Sequence, residues 1–170
     1  MALVRELAPV MSGFAVIALA GSAYASEICT MRTNSQLDAL RMLRVDPVRY
    51  LMAPRLIAAT VAVPLITVIT AVSGILGGMW VSHYSAGIAT GNYLESAWIF
   101  LGLKDVFGAL LKAAVFGFLI ATLSCTIGFA TGAGAKNVGL ATTRAVVWSF
   151  VGMAVADYAL TFLLYGTRGF

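Results

Sequence analysis

Residues 27–55 read EICTMRTNSQLDALRMLRVDPVRYLMAPR and separate two long apolar runs. The stretch carries five of the eleven basic residues of the chain, namely Arg32, Arg41, Arg44, Arg49 and Arg55. A short connection this rich in arginine, between segments long enough to cross a bilayer, belongs on the cytoplasmic side by the positive-inside rule. This assignment orients every other segment of the chain.

The same stretch predicts a short amphipathic helix over residues 34–43. Thr33 followed by Gln36 matches a capping box, and Asp46 with Pro47 ends the helical pattern. Leucines recur at helical spacing between these signals: Leu37, Leu40 and Leu43. Such a helix can bury its leucines against its own bundle, lipid headgroups or a partner protein. The alternative is a solvated connector that folds its leucines onto its own chain.

The composition is that of an integral membrane protein. Apolar residues make up 61% of the 170 residues and charged residues 11%, against about 45–50% apolar and about 25% charged in soluble domains. The net charge of +4 does not indicate nucleic-acid binding, because the basic residues concentrate at the ends of apolar runs. Cys29 and Cys125 lie near predicted cytoplasmic helix ends, and this reducing location favours packing residues over a disulfide.

Four apolar runs predict an all-α, polytopic fold in a single domain over residues 1–170. Each run is long enough to cross a hydrocarbon core of about 30 Å. The predicted spans are 7–26, 56–80, 106–129 and 141–165. The first is rich in small residues, which favours close packing inside a bundle or at a dimer seam. Between the second and third spans we expect an outer interfacial loop with a half-helix.

Signals for enzymatic chemistry are weak. Residues 130–144, ATGAGAKNVGLATTR, are rich in glycine but lack the Walker spacing around Lys136. Thr142 or Thr143 is instead predicted to cap the last helix. His83 is the single histidine and has no neighbouring ligand pattern for a metal, and no set of nucleophile, base and orienting group can be assembled. We expect no catalysis and no cofactor in this chain.

Four charged residues fall within the outer third of the predicted bundle: Arg5, Glu6, Lys112 and Asp157. Asp157 lies about 20 Å along a helix from Arg144, and Lys112 reaches a similar depth on a helix that runs the other way. Charges in hydrocarbon are costly and usually face a bundle interior or a cavity. One hypothesis is a polar cluster at the outer opening of a cavity that meets an anionic lipid headgroup. The alternative is a purely structural ion pair between Lys112 and Asp157.

The chain resembles the MlaE (YrbE) permeases of ABC transporters that move lipids between bacterial membranes, a family with relatives in chloroplasts and in mycobacterial lipid importers. The resemblance runs almost from end to end and is carried by the glycine-ended second span, Asp157 and five motifs. The motifs are RELAPV (5–10), AGSAYASEI (20–28), QLDALRMLRVDPVRYLMAPR (36–55), LLKAAVFGFLIA (110–121) and GLATTRAVV (139–147).

The resemblance implies a permease that works as a homodimer with a cytosolic ABC ATPase, in which ATP and magnesium would bind. It also implies an MCE-domain lipid-binding protein on the outer side, and a location in the inner membrane or in the inner envelope of a plastid. The full family fold has five spans and an interfacial helix. We therefore expect the first span and that helix to be missing from this chain, which also explains an N-terminus placed outside by topology.

The resemblance assigns roles to individual residues. The short cytoplasmic helix becomes the coupling helix that seats in the ATPase, with these expected contact residues: Gln36, Leu37, Asp38, Ala39, Leu40, Asp46 and Pro47. The expected substrate-binding residues on the lipid pathway are Arg5, Glu6, Lys112 and Asp157. The chain departs from the family pattern at Leu19, Cys29 and Ser35. The departure at Leu19 puts headgroup contacts within the first span in doubt, and that at Ser35 puts one ATPase contact in doubt.

These observations predict a permease subunit that couples ATP hydrolysis in a partner to the movement of lipid, with phospholipid as the expected substrate. The alternative is a membrane anchor or assembly scaffold with no transport path of its own. In that case the four charged residues would be dispensable for function.

Overall fold

A computed structural model of the chain describes residues 2–87, 89–100 and 102–165. This part of the chain is helical and contains no strand, which confirms the all-α fold. Its helices are α1 (Leu3–Thr33), α2 (Gln36–Met42), α3 (Pro47–Ala86), α4 (Thr90–Phe100), α5 (Leu103–Ala130) and α6 (Ala135–Tyr165). Helices α1, α3, α5 and α6 are each long and apolar enough to cross a bilayer. The chain is a multi-pass membrane protein.

Helix α1 contains two wider, π-helical segments, Leu3–Leu7 and Ile17–Gly21. The first ends two residues before Pro9. Proline has no backbone N–H to donate and its ring crowds the carbonyl four residues earlier, so the preceding turn cannot close as a regular α-helical turn. This widened turn carries both Arg5 and Glu6.

Helix α3 is a single helix of 40 residues with Pro54 and Pro64 inside it. Its first turn is capped by Asp46, whose side chain accepts a hydrogen bond from the Val48 backbone N–H at 3.0 Å. A helix of this length rises about 60 Å, whereas a hydrocarbon core is about 30 Å thick. At least one end of α3, and with it the α2 connection or α4, therefore stands outside the hydrocarbon.

Helix α5 is the central span of the bundle. Of its most apolar window 44% is buried, against 17% in α3 and 11% in α6. Two of its glycines allow close helix crossings, because a Cβ on Gly117 would collide with the Ala59 carbonyl of α3 and a Cβ on Gly128 would lie 3.1 Å from the Ala25 carbonyl of α1. Small residues at crossings are the usual basis of helix packing in lipid. Residues from all four long helices complete the apolar core around α5: Val16, Ile17, Val63, Ala113, Phe116, Ile120 and Met153.

Two predicted helix caps are wrong. Thr33 does not cap α2, because its Oγ1 donates to the Cys29 carbonyl within α1 and accepts the Gly134 N–H. The N-cap position is Ser35, which has a left-handed backbone and makes no capping bond.

Thr142 and Thr143 do not cap the last helix either, because α6 already begins at Ala135. Their hydroxyls donate to backbone carbonyls four residues earlier within the helix. The glycine-rich connection between α5 and α6 is therefore only residues 131–134 long. It ends at Gly134, which has a positive φ, and α6 begins at the next residue.

Candidate functional site

The charged residues predicted for the lipid path lie at the end of the bundle away from α2, where the start of α1, the start of α5 and the last turns of α6 meet. Glu6 comes from the widened first turn of α1, Lys112 from α5 and Asp157 from α6. Thr161, one turn after Asp157, joins them. We call Glu6, Lys112, Asp157 and Thr161 the lysine cluster.

The Lys112 ammonium is the centre of the lysine cluster. Its Nζ donates to Glu6 Oε1 at 2.8 Å and Oε2 at 2.7 Å, and to Asp157 Oδ1 at 3.2 Å. It also donates to Thr161 Oγ1 at 2.6 Å. The predicted proximity of Lys112 and Asp157 is therefore confirmed, and Glu6 is a second and closer carboxylate partner.

Lys112 is fully buried, with 0% of its side chain exposed, whereas Glu6 is 35% and Asp157 25% exposed. A buried ammonium must be paired and hydrogen-bonded to remain charged without a large free-energy cost. Two carboxylates and a hydroxyl from two neighbouring helices meet this need. In this arrangement Lys112 presents no surface to a lipid headgroup, so direct contact would require the lysine cluster to open.

Arg5 lies beside the lysine cluster but binds another carboxylate. Its Nε and Nη2 both contact Asp105 Oδ1 at 2.8 Å. Asp105 is buried in the first turn of α5, where its Oδ2 also accepts the Gly102 N–H at 3.3 Å. We call this contact the Arg5–Asp105 pair. It joins the start of α1 to the start of α5.

The whole outer site has an excess of negative charge. Two cations, Arg5 and Lys112, face three carboxylates, Glu6, Asp105 and Asp157, which leaves one net negative charge. Arg5 is the cation with exposed surface, 33% of its side chain. The site thus brings together all four residues predicted from the sequence, but in two bonded groups and with a carboxylate-rich exposed side.

Sequence reasoning missed Asp105 and Thr161. Asp105 is the last residue before the predicted third span, although an acidic residue three positions after a glycine at the start of an apolar run is a helix N-terminus signal. Thr161 lies four residues after Asp157, the spacing that puts two side chains on one face of a helix. That spacing was the available signal for it.

The short helix α2 exposes part of the predicted coupling surface. Leu37 is buried against its own chain, as is Pro47. Leu40 is half-buried, and the remaining predicted contacts are exposed: Gln36, Asp38, Ala39 and Asp46. The most exposed apolar side chains lie at the end of the helix, where Met42 is 86% and Leu43 73% exposed.

The end of α1, just before α2, is hydrogen-bonded to the end of α5. Arg32, at the end of α1, donates through Nη1 to the Phe129 carbonyl at 2.6 Å and to the Thr131 carbonyl at 3.0 Å. Phe129 is in the last turn of α5 and Thr131 directly follows the helix, where carbonyls lack helical partners and attract a cation. Arg55 of α3 binds Glu27 of α1 at 2.7 Å.

Among residues 2–87, 89–100 and 102–165, no three His, Cys, Asp or Glu side chains gather in a way that could hold a metal ion.

Comparison with known proteins agrees with this membrane architecture. The family model described as Permease MlaE matches residues 1–163. A probable ABC transporter permease protein of Rickettsia typhi is 43% identical over 165 residues, which cover 97% of this chain and 64% of the relative. A probable ABC transporter permease protein of Synechocystis is 41% identical over 169 residues, which cover 99% of this chain and 64% of the relative.

A plant protein is also similar. The chloroplastic protein TRIGALACTOSYLDIACYLGLYCEROL 1 of Arabidopsis thaliana is 39% identical over 165 residues, which cover 97% of this chain and 47% of the relative. The chain thus spans less than two thirds of the length of these curated relatives.

Proposed function

The chain belongs to the MlaE permease family, and on this premise we propose that it is part of the permease subunit of an ABC transporter that moves lipid between membranes. The Rickettsia and Synechocystis relatives are named as probable ABC transporter permeases. The name of the plant relative contains that of a galactolipid, which favours a glycerolipid, and phospholipid in a bacterium, as the substrate. ATP is hydrolysed by a separate cytosolic ATPase.

The lysine cluster carries the proposal, because a fully buried ammonium inside a membrane bundle is difficult to explain by packing alone. Replacing a buried ion pair by apolar residues is often neutral or stabilising, so such pairs are weak contributors to stability. Within membrane spans, ionisable residues instead tend to mark substrate and ion pathways. We assign Glu6, Lys112, Asp157 and Arg5 to the outer part of the lipid path.

In this proposal, the lysine cluster as described is the closed state of the path. A lipid phosphate that entered the site would compete with Glu6 and Asp157 for the Lys112 ammonium. Asp157 gives the longest contact, 3.2 Å, and is the partner that the ammonium would leave most readily. Opening between α5 and α6 would then expose the positive charge to the headgroup, while apolar side chains below take the acyl chains.

Coupling to the ATPase is assigned to α2. The apolar run of α3 starts near residue 56, so residues 47–55 rise about 13 Å before the hydrocarbon begins. Met42 and Leu43 at the end of α2 are exposed, and in this proposal they lie beyond the reach of the acyl chains. A protein groove is the remaining way to bury them. The ATPase contact would include these two residues beside Gln36, Asp38 and Ala39.

A second copy of the chain and an outer MCE-domain protein complete the proposed assembly, in the inner membrane or a plastid inner envelope. Ala15 and Ala18 are exposed on α1, and small exposed side chains allow another membrane helix to approach closely. This supports pairing of two copies along α1.

The test is the substitution Asp157→Asn in the full-length protein with its ATPase, reconstituted in vesicles of phosphatidylethanolamine and phosphatidylglycerol. The change keeps the shape of the side chain and leaves Lys112 its closer partner Glu6, so the complex should assemble. We expect ATP-dependent lipid transfer to fall at least about tenfold. Unchanged transfer by an intact complex would reject the lipid path and favour a membrane scaffold.

A further inference from the structure

Thr161 makes the shortest contact to the Lys112 ammonium, 2.6 Å from Oγ1 to Nζ, and no function considered so far uses it. Its hydroxyl also lies 3.3 and 3.4 Å from the two Glu6 oxygens and 2.7 Å from the Asp157 carbonyl. One side chain therefore touches every other member of the lysine cluster.

The Thr161 hydroxyl is oriented by its own helix. It donates to the Asp157 carbonyl four residues earlier, a common bond of threonine in helices. With its hydrogen directed there, the lone pairs of Oγ1 face the Lys112 N–H donors. The Glu6 carboxylate is a second, more distant acceptor for the same hydrogen.

Without Thr161, the ammonium would be held unequally. Glu6 of α1 binds it through two oxygens at 2.7 and 2.8 Å, and Asp157 of α6 through one oxygen at 3.2 Å. Coulomb attraction alone would draw Nζ towards Glu6 and away from α6. Thr161 supplies a second contact from α6, so Lys112 remains shared between the two helices.

We propose that Thr161 is a positioning residue whose hydroxyl holds the Lys112 ammonium between Glu6 and Asp157, and so determines how Asp157 is released when a lipid headgroup enters. The inference rests on the proposed lipid path. In this proposal, Thr161 sets the equilibrium between the closed lysine cluster and an open one.

The experiment compares Thr161→Val with Thr161→Ser in the full-length protein with its ATPase, in vesicles of phosphatidylethanolamine and phosphatidylglycerol. Valine has nearly the shape of threonine but no hydroxyl, whereas serine keeps the hydroxyl. We expect lipid transfer per assembled complex to fall roughly tenfold in Thr161→Val and to stay within about twofold of the unchanged protein in Thr161→Ser. Equal transfer by the two variants would overturn the inference.

Thr142→Val is the matched control. Thr142 lies on the same helix and its Oγ1 donates to the Val138 carbonyl at 2.9 Å, the same kind of bond as in Thr161. No bond to Lys112 is lost with it. A loss of transfer in Thr142→Val equal to that in Thr161→Val would also overturn the inference, because the backbone bond alone would then explain both.

A double variant separates positioning from stability. If Thr161 acts through the share of Lys112 that Asp157 holds, Asp157→Asn with Thr161→Val should transfer lipid about as slowly as Asp157→Asn alone. Losses that multiply would contradict a common action on Lys112.

Should Thr161→Val fail to assemble, Thr161→Ala serves in its place. Alanine also lacks the hydroxyl, and it does not introduce the additional methyl group of valine. Failure of both to assemble would assign Thr161 a purely structural role and overturn the inference. The proposed function is tested separately: if Asp157→Asn loses transfer and Thr161→Val does not, only the role of Thr161 is rejected.

Discussion

The two ends of the bundle hold charged pairs in different environments. At the outer end, Lys112 is fully buried and Asp105 nearly so. At the cytoplasmic end, the pair of Arg41 and Asp38 is 69% and 67% exposed. Charges buried in an apolar bundle are held by several partners each, whereas those on α2 make single, solvent-exposed contacts.

The difference separates two uses of charge in one membrane protein. Exposed ion pairs contribute little to stability, so we expect Arg41 and Asp38 on α2 to act mainly through whatever binds them. Removing a buried cation such as Lys112 leaves its carboxylate partners uncompensated. We therefore expect substitutions at the outer end to affect folding and transport together, and substitutions on α2 to affect partner binding alone.

The largest effect is expected for Lys112→Met. It leaves the Glu6 and Asp157 carboxylates without their common cation, and the loss of one partner of a buried ion pair costs about 3–5 kcal/mol. Unfolding of the purified protein in detergent, followed by circular dichroism, measures the change. Lys136→Met, at an exposed position in the first turn of α6, is the matched control and should change the free energy of unfolding by less than about 0.5 kcal/mol. If the two substitutions lowered the free energy of unfolding equally, the buried charge at the outer end would be no more important for stability than the exposed one.

A smaller loss is expected for Asp105→Asn. Asparagine has a single side-chain oxygen, which cannot accept from both Arg5 and the Gly102 N–H as the two carboxylate oxygens do. The change therefore loses a hydrogen bond to one of them, and a hydrogen bond to a charged group contributes about 1.5–3 kcal/mol. The same unfolding measurement applies, with Asp38→Asn as the exposed counterpart. A cost no greater than that of Asp38→Asn would show that the Arg5–Asp105 pair does not fasten α1 to α5.

Arg32→Ala tests the fastening of the cytoplasmic end. It removes two hydrogen bonds to the last carbonyls of α5, and we expect a loss of about 1 kcal/mol because the guanidinium is exposed to solvent. Arg49→Ala, at another exposed arginine, should cost less. Hydrogen exchange of residues 131–134 provides a second measurement. Unchanged exchange there in Arg32→Ala would count against the fastening.

The smallest effect on folding is expected for Leu43→Asp. The side chain is already 73% exposed, so the free energy of unfolding should change by less than about 0.5 kcal/mol. If α2 seats in the ATPase, a buried charge at that interface should weaken binding at least about tenfold, measured by copurification with the full-length protein. Copurification that is unaffected, with Lys136→Met as control, would exclude Leu43 from the contact.

Much of the fold could be predicted from the sequence, and the site only in part. The apolar runs predict four membrane helices, and the depth of Asp157 and Lys112 along their helices predicts their pairing. The partner of Arg5 and the role of Thr161 in the lysine cluster were not predicted. Helices that are apolar on nearly every side carry no clear stripe to show which face turns inward, so depth could be estimated while rotation could not.

The caps show the same limit at the cytoplasmic end. Thr33 has the right spacing for a capping box, yet its hydroxyl accepts the Gly134 N–H from a segment one hundred residues away in the chain. A local pattern is a preference of a few tenths to about 2 kcal/mol, which a tertiary hydrogen bond can outweigh. Local signals therefore predicted the elements better than their ends.

By itself, the sequence determined that this chain is an all-α membrane protein with four long helices. It also predicts that the arginine-rich connection faces the cytoplasm and that charges lie in the outer third. These properties depend on composition and on residue order along each helix. The tertiary structure alone decided that Arg5 binds Asp105, that Glu6 is the closer partner of Lys112, and that Thr161 joins them. Such contacts depend on how neighbouring helices rotate and cross, which close packing of small and large side chains settles only when the whole bundle is assembled.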